Sequence, residues 1–172
     1  MIFQGIIAFF NRLAARIRRA WRSRGHGVHS PFAYRFILGV LREKTPYYSY
    51  RPIEQLGGDV RWHKLLFRLV AEFEPASVMS SHLSQAERRV ITLADSRVSL
   101  PVRGSHNNFP AGAIELKALE VTVVIVRDLK GNPGEWERVC RSLDYGMTFT
   151  NGTIGIVVIR HDLPRQDFEI DF

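Results

Sequence analysis

A chain of 172 residues suffices for one domain that buries about 70% of the surface its unfolded form exposes. Its composition, 45% hydrophobic and 24% charged, excludes wholesale disorder, and its single cysteine, Cys140, excludes an internal disulfide and a cysteine-rich zinc site. The net charge of +7 sits at one end, because residues 1–50 hold nine Lys+Arg against the one acid Glu43, which points to a local electrostatic task rather than a general solubility charge.

Phe3, Ile6, Phe10, Leu13, Ile17 and Trp21 recur at steps of three and four and form one stripe of a helix. Arg12, Arg16, Arg18, Arg19 and Arg22 occupy its other faces as candidate contacts for an anion or a membrane surface. The apolar run Ile2 to Phe10 is too short for the ~20 residues that span a bilayer. Its arginines follow the apolar stretch, the reverse of a secretory signal. A cytoplasmic protein is expected, with attachment to the inner membrane surface as an option. The stripe has two uses that a single sequence leaves open. It can enter a lipid boundary, or it can pack on the body or on a second copy, which is the commoner role of such helices.

Gly25 and Gly27 end this helix, and Ser30-Pro31 suits the start of a second, whose apolar face is Phe32, Phe36, Ile37, Val40 and Leu41. Thr45 to Pro52, rich in Tyr and Pro, reads as a loop. Trp62 to Phe73 carries a helical pattern that Pro75 stops, and Ser77-Val78-Met79 suits a short strand. Ser84 and Glu87 have capping-box spacing for a helix through Ala94, although Val90 to Leu93 also suits a strand. Val121 to Val126 is a continuous β-branched run of the kind buried on both faces of a sheet. A helix over Glu135 to Leu143 follows, and Met147 to Thr150, Asn151-Gly152 and Ile154 to Ile159 form a hairpin.

The octapeptide Gly25-His26-Gly27-Val28-His29-Ser30-Pro31-Phe32, followed by Tyr47-Tyr48-Ser49-Tyr50 and Ile53-Glu54, resembles the N-terminal region of a class I S-adenosylmethionine methyltransferase family common in Bacteroidetes. Lys64 to Val70 looks like that family's helix before the first strand, and Val124-Ile125-Val126-Arg127-Asp128 like its later strand ending in paired acids. Trp136 and the terminal hairpin also fit. The resemblance implies an α/β fold: a Rossmann-like three-layer sandwich with a mostly parallel sheet ending in an antiparallel hairpin. Residues 51–172 are then the methyltransferase-related domain, and residues 1–50 a basic, amphipathic helical extension carrying the signature His26, Gly27, His29, Ser30, Pro31 and Phe32.

The same resemblance implies a lost cofactor site. A class I enzyme needs a glycine-rich loop after its first strand so that the backbone can approach the cofactor, yet Asp59 through Arg103 contains no glycine and Val78 to Ser84 stands where the loop belongs. Arg103-Gly104 replaces the acid that would accept from the ribose hydroxyls, and arginine has no acceptor to offer. Of the paired acids only Asp128 remains, beside Arg127. No cofactor and no methyl transfer are therefore expected, leaving a binding or scaffold protein. The alternatives are a peripheral membrane or nucleic-acid-associated protein that uses the basic helix, or a methyltransferase with an atypical cofactor site. Protein partners and homo-oligomers fit the first class.

Other chemistry is weaker. His26 and His29, with His63, His82, His106 and His161, show no metal-ligand spacing, so no metal is assigned and the first two are read as bonding the backbone of a turn. Ser80, Ser81 and Ser84 near His82 lack a nucleophile elbow. Tyr47, Tyr48 and Tyr50 beside Arg42, Lys44 and Arg51 can stack on bases or pack half-buried on the sheet, and the second is preferred. Cys140 reads as a small buried hydrophobe.

Overall fold

The computed structural model describes residues 28–80, 82–100 and 120–172, together with Leu13, Ala14, Ile17, Ala20 and Trp21. The first helix of the body, α1 (Pro31–Arg35), opens as the sequence predicts: Ser30 Oγ accepts from the Ala33 backbone N–H at 3.3 Å and Pro31 occupies the first turn. It passes into a π-helix (Phe36–Leu41), closed by the Arg42 N–H donating to the Ile37 carbonyl at 3.0 Å. Overlapping the end of the stretch read as a loop, and running two residues past it, is α2 (Tyr50–Glu54). The long helix α3 (Val60–Phe73) is capped by Asp59, whose carboxylate accepts from Trp62 N, and ends in a left-handed Glu74 before Pro75.

Strand β1 (Ser77–Ser80) leads into α4 (Gln85–Ala94), which starts with the full capping box of Ser84 and Glu87. The helical alternative for Val90 to Leu93 is therefore the one adopted. Then come β2 (Thr122–Arg127), α5 (Pro133–Arg141), β3 (Met147–Thr150), β4 (Ile154–Ile159) and β5 (Gln166–Glu169). The sheet order is β1-β2-β4-β3-β5. β1 pairs with β2, and β3 with β5, in parallel, while β4 runs antiparallel to both of its neighbours. Four strands thus point one way and β4 alone is reversed. The hairpin falls where expected, but its loop has three residues: Gly152 takes φ +84° and Asn151 Oδ1 accepts from Thr153 N and Ile154 N. Asn151 works as a side-chain acceptor rather than by a positive φ of its own. The sheet does not end in the hairpin, since β5 continues it beyond β3. On its other side, outside β1, the described residues show an isolated parallel bridge that joins Ser77 to Ser99.

Alternation along β2 and β4 explains the layers. Val123, Ile125, Ile156 and Val158 join Met147 and Phe149 under α1, the π-helix, α3 and α4, while Val124, Val126, Val157 and Ile159 meet Val139 and Leu143 on the opposite face. Both faces of an α/β sheet are thus covered, and Val121 to Val126 is an interior, wholly buried run as its composition predicts. Ala33, Phe36, Ile37 and Val40, all on the N-terminal side of the division at residue 50, are fully buried in the same core as the residues beyond it.

Candidate functional site

In open α/β sheets, ligands bind at the carboxyl ends of the strands where neighbouring parallel strands send their connections to opposite faces. β1 and β2 meet that condition. The chain leaves β1 for α4, whose Val90 and Ile91 lie in the larger core, and leaves β2 for α5, whose Val139 lies in the smaller one.

An ion pair spans this switch point. Arg127, the last residue of β2, donates from Nη1 to Glu87 Oε1 at 2.5 Å, and Glu87 sits in the first turn of the helix that follows β1. Trp62 Nε1 donates to the same oxygen at 2.6 Å, Ser84 N donates to Oε2 at 2.8 Å, and the guanidinium lies 5.3 Å from the Trp62 ring centroid. Glu87 is 3% exposed. Burial alone raises its carboxyl pKa, but hydrogen bonds from Ser84, Trp62 and Arg127 outweigh that and hold it below the ordinary glutamate value.

The segment that would need glycine freedom behaves otherwise. Among residues 82–84 none has a positive φ, and Ser84 acts as a helix cap. Asp128, which follows β2, takes a left-handed φ of 54° and accepts from Gly131 N at 3.1 Å. A Cβ on Gly131 would stand 2.2 Å from Asp128 Oδ2, so the two residues specify one tight turn. Arg103 and Gly104 lie outside the described residues.

The signature residues lie elsewhere. His29, Ser30, Pro31 and Phe32 line a cavity of about 620 Å³ with Met147, Arg160 and Gln166, at the edge of the sheet where β3 and β5 begin. There they hold structure: Ser30 Oγ reaches Met147 Sδ at 3.7 Å, Phe32 stacks on Phe73 at 5.1 Å, and the Arg160 guanidinium lies 5.2 Å from the Phe32 ring. His26 and Gly27 lie outside the described residues, as do Arg12, Arg16, Arg18, Arg19 and Arg22. Of the apolar stripe, Leu13, Ile17 and Trp21 are described; they are helical and 42%, 62% and 59% exposed.

The tyrosines divide. Tyr47 and Tyr50 pack on Phe67 of α3, with centroids 5.8 and 6.0 Å away, and Tyr48 is fully exposed. Their support is thus a helix and not the sheet. Cys140 is half-buried, and desolvation pushes its thiol up to about 11, which makes a thiolate nucleophile unavailable near neutral pH. Among the described residues no group of three His, Cys, Asp or Glu side chains is placed to hold a metal ion, and no helix is long and apolar enough to cross a membrane.

Two features escaped the reading of the sequence. The Glu87–Arg127 pair joins residues 40 positions apart, and Glu87 had been explained by its capping role alone. The second is a cavity of about 520 Å³ on the carboxyl edge of the sheet, between the first turns of α3, the end of the π-helix and Ile154. Arg61, Lys64 and Arg68, at i, i+3 and i+7, give it one basic wall, a spacing visible in the sequence.

The site is thus the switch point of an α/β protein with a mixed five-stranded sheet, crossed by an ion pair whose carboxylate is buried and whose guanidinium is partly exposed. Comparison with protein-family models, curated proteins and solved structures found no match to this chain.

Proposed function

We propose that this chain is a shortened, Rossmann-like relative of the S-adenosylmethionine methyltransferases that no longer handles the cofactor and acts as a binding or scaffold protein. The observation that carries the reading is the Arg127–Glu87 pair. It sets a guanidinium and a buried, fully bonded carboxylate across the crevice where such folds receive their ligand. The strand order supports the fold relationship, with the reversed β4 inserted between β2 and β3. Support for the loss of chemistry comes from the missing glycines between Asp59 and Arg103. Titration calorimetry of the intact chain with S-adenosylmethionine is expected to give no saturable heat. Micromolar binding, with the cofactor located against Val78 to Ser84 in a crystal, would return the protein to the enzymes.

A second reading is favoured by the exposure of Leu13, Ile17 and Trp21, which lie four residues apart on a helix in the most basic part of the chain. Such a face enters the boundary of an anionic bilayer while arginines meet the headgroups, each contributing about 1 kcal/mol. The intact chain is expected to sediment with anionic and not with neutral vesicles, and the double substitution Ile17→Glu, Trp21→Glu to abolish it. If the intact chain ignores both vesicle types, and the substitutions instead break an oligomer, the helix is an assembly element.

A further inference from the structure

We infer that the basic cavity on the carboxyl edge binds a phosphate-bearing ligand, with Arg68 as its principal anchor and Arg61 as a second contact. At about 520 Å³ the cavity is of the size that takes a small molecule or one headgroup. Its lining has five basic side chains against three acids, so basic groups outnumber acidic ones. Glu43 accepts from Thr45 N at 2.6 Å and Asp59 from Trp62 N at 3.0 Å, each satisfying a backbone donor. Asp171 is the third.

Arg68 is held differently. Its Nε donates to the Val40 carbonyl at 2.7 Å and its Nη1 to the Tyr50 hydroxyl at 3.0 Å. Both partners are neutral, so they fix the guanidinium plane without offsetting its charge, and among the described residues no carboxylate lies within 4 Å of it. Arg68 is the least of the causes that lower the Glu43 pKa, which hydrogen bonds from Thr45 dominate. By contrast Lys64, one turn away, is neutralised by Glu54 at 2.5 Å. A charge pre-oriented by neutral acceptors in a partly buried wall, with Arg61 two turns earlier on the same face, is the arrangement that suits a doubly charged oxyanion. A carboxylate would use only one such fork. Trp62, whose N–H is committed to Glu87, closes one side of the cavity.

The probe is pyrophosphate, titrated into the ¹⁵N-labelled intact chain at constant ionic strength with chloride as control. Saturable shifts are expected at Arg61, Trp62, Lys64 and Arg68. Arg68→Gln should weaken binding about tenfold or more, the loss of one charge-assisted contact. Because Arg68 also supports Val40, the exposed Arg61→Gln provides a variant that leaves the fold intact, and it should weaken binding severalfold. Two arms separate the sources of the phosphate. Release of the protein from phosphatidic-acid vesicles by pyrophosphate assigns the cavity to a lipid headgroup, and pyrophosphate binding without such competition assigns it to a free ligand. Absence of shifts at millimolar pyrophosphate, shifts confined to the arginines before residue 25, or equal affinity in Arg61→Gln and the unaltered chain would overturn the proposal.

Discussion

Substitution of Glu87 by Ala is expected to destabilise the fold by about 2–4 kcal/mol, because it orphans the buried Trp62 N–H and removes a helix cap, while the Arg127 side chain, 38% exposed, turns to water. Three donors lose their acceptor together: Arg127 Nη1, Trp62 Nε1 and Ser84 N. Trp62 is 4% exposed, so its N–H cannot turn to water at little cost. The capping box of α4 goes as well. Urea denaturation read by tryptophan fluorescence measures the loss, and a change within about 1 kcal/mol would mean that the pair is not bonded as described. The same carboxylate makes stability depend on pH. Its folded pKa lies below the unfolded value, so its contribution is complete above the ordinary glutamate pKa and is lost as pH falls through the folded one. Asp95 and Asp162, lowered first by hydrogen bonds from Arg97 and Arg160, share that direction. Stability should therefore decline on acidification, and Glu87→Gln should flatten part of that decline.

Phe149→Ala is expected to cost about 3–5 kcal/mol, the usual loss for a fully buried phenylalanine. Its position makes the result informative beyond its size. Phe149, on β3, has its ring 4.0 Å from that of Phe36 and 5.3 Å from that of Phe168 on β5, and Phe36 continues to Phe73 at 5.8 Å. Phe149 thus joins the segment before residue 50 to the last strand, and Phe36 carries the contact on to the long helix α3. If the body is one cooperative unit, the variant should unfold in a single transition at lower denaturant, with far-ultraviolet circular dichroism and fluorescence coincident. Separate transitions would show that residues 28–50 form a unit detachable from the rest.

The elements that were legible in the sequence are those whose local chemistry and tertiary burial agree. Val121 to Val126 is β-branched and is buried on both faces; Ser84 and Glu87 cap the helix their spacing announces; Asn151 and Gly152 turn the hairpin. The elements that were missed have weak local signals. In α2, Pro52 falls in the first turn, where its missing N–H breaks no helical bond, so a proline that reads as a loop is compatible with a helix. The strand β5 is Gln-Asp-Phe-Glu, without alternation, and exists through its pairing with β3 and the stacking of Phe168. The π-helix follows from the packing of Phe36, Ile37 and Val40 rather than from any residue preference. For the site, the absence of glycine from Asp59 to Arg103 was readable, whereas the Glu87–Arg127 pair was not. Glu87 and Arg127 meet only once β1 and β2 lie side by side, and no local pattern encodes that meeting.

The solitary bridge between Ser77 and Ser99 bears on how the molecule avoids joining itself to others. Among the described residues β1 borders the sheet on that side, and an unpaired margin of parallel sheet is an invitation to strand addition. Two hydrogen bonds occupy its start, Val78 N to the Ser99 carbonyl at 3.0 Å and Ser99 N to the Ala76 carbonyl at 2.9 Å. Beyond them β1 has only Met79 and Ser80 left before it ends. A margin of about 7 Å, two residues at 3.3 Å each, is too short to template another chain in register. Among the described residues, brevity at this border therefore limits strand addition, and any engineering that lengthens β1 beyond Ser80 would need a partner strand to go with it.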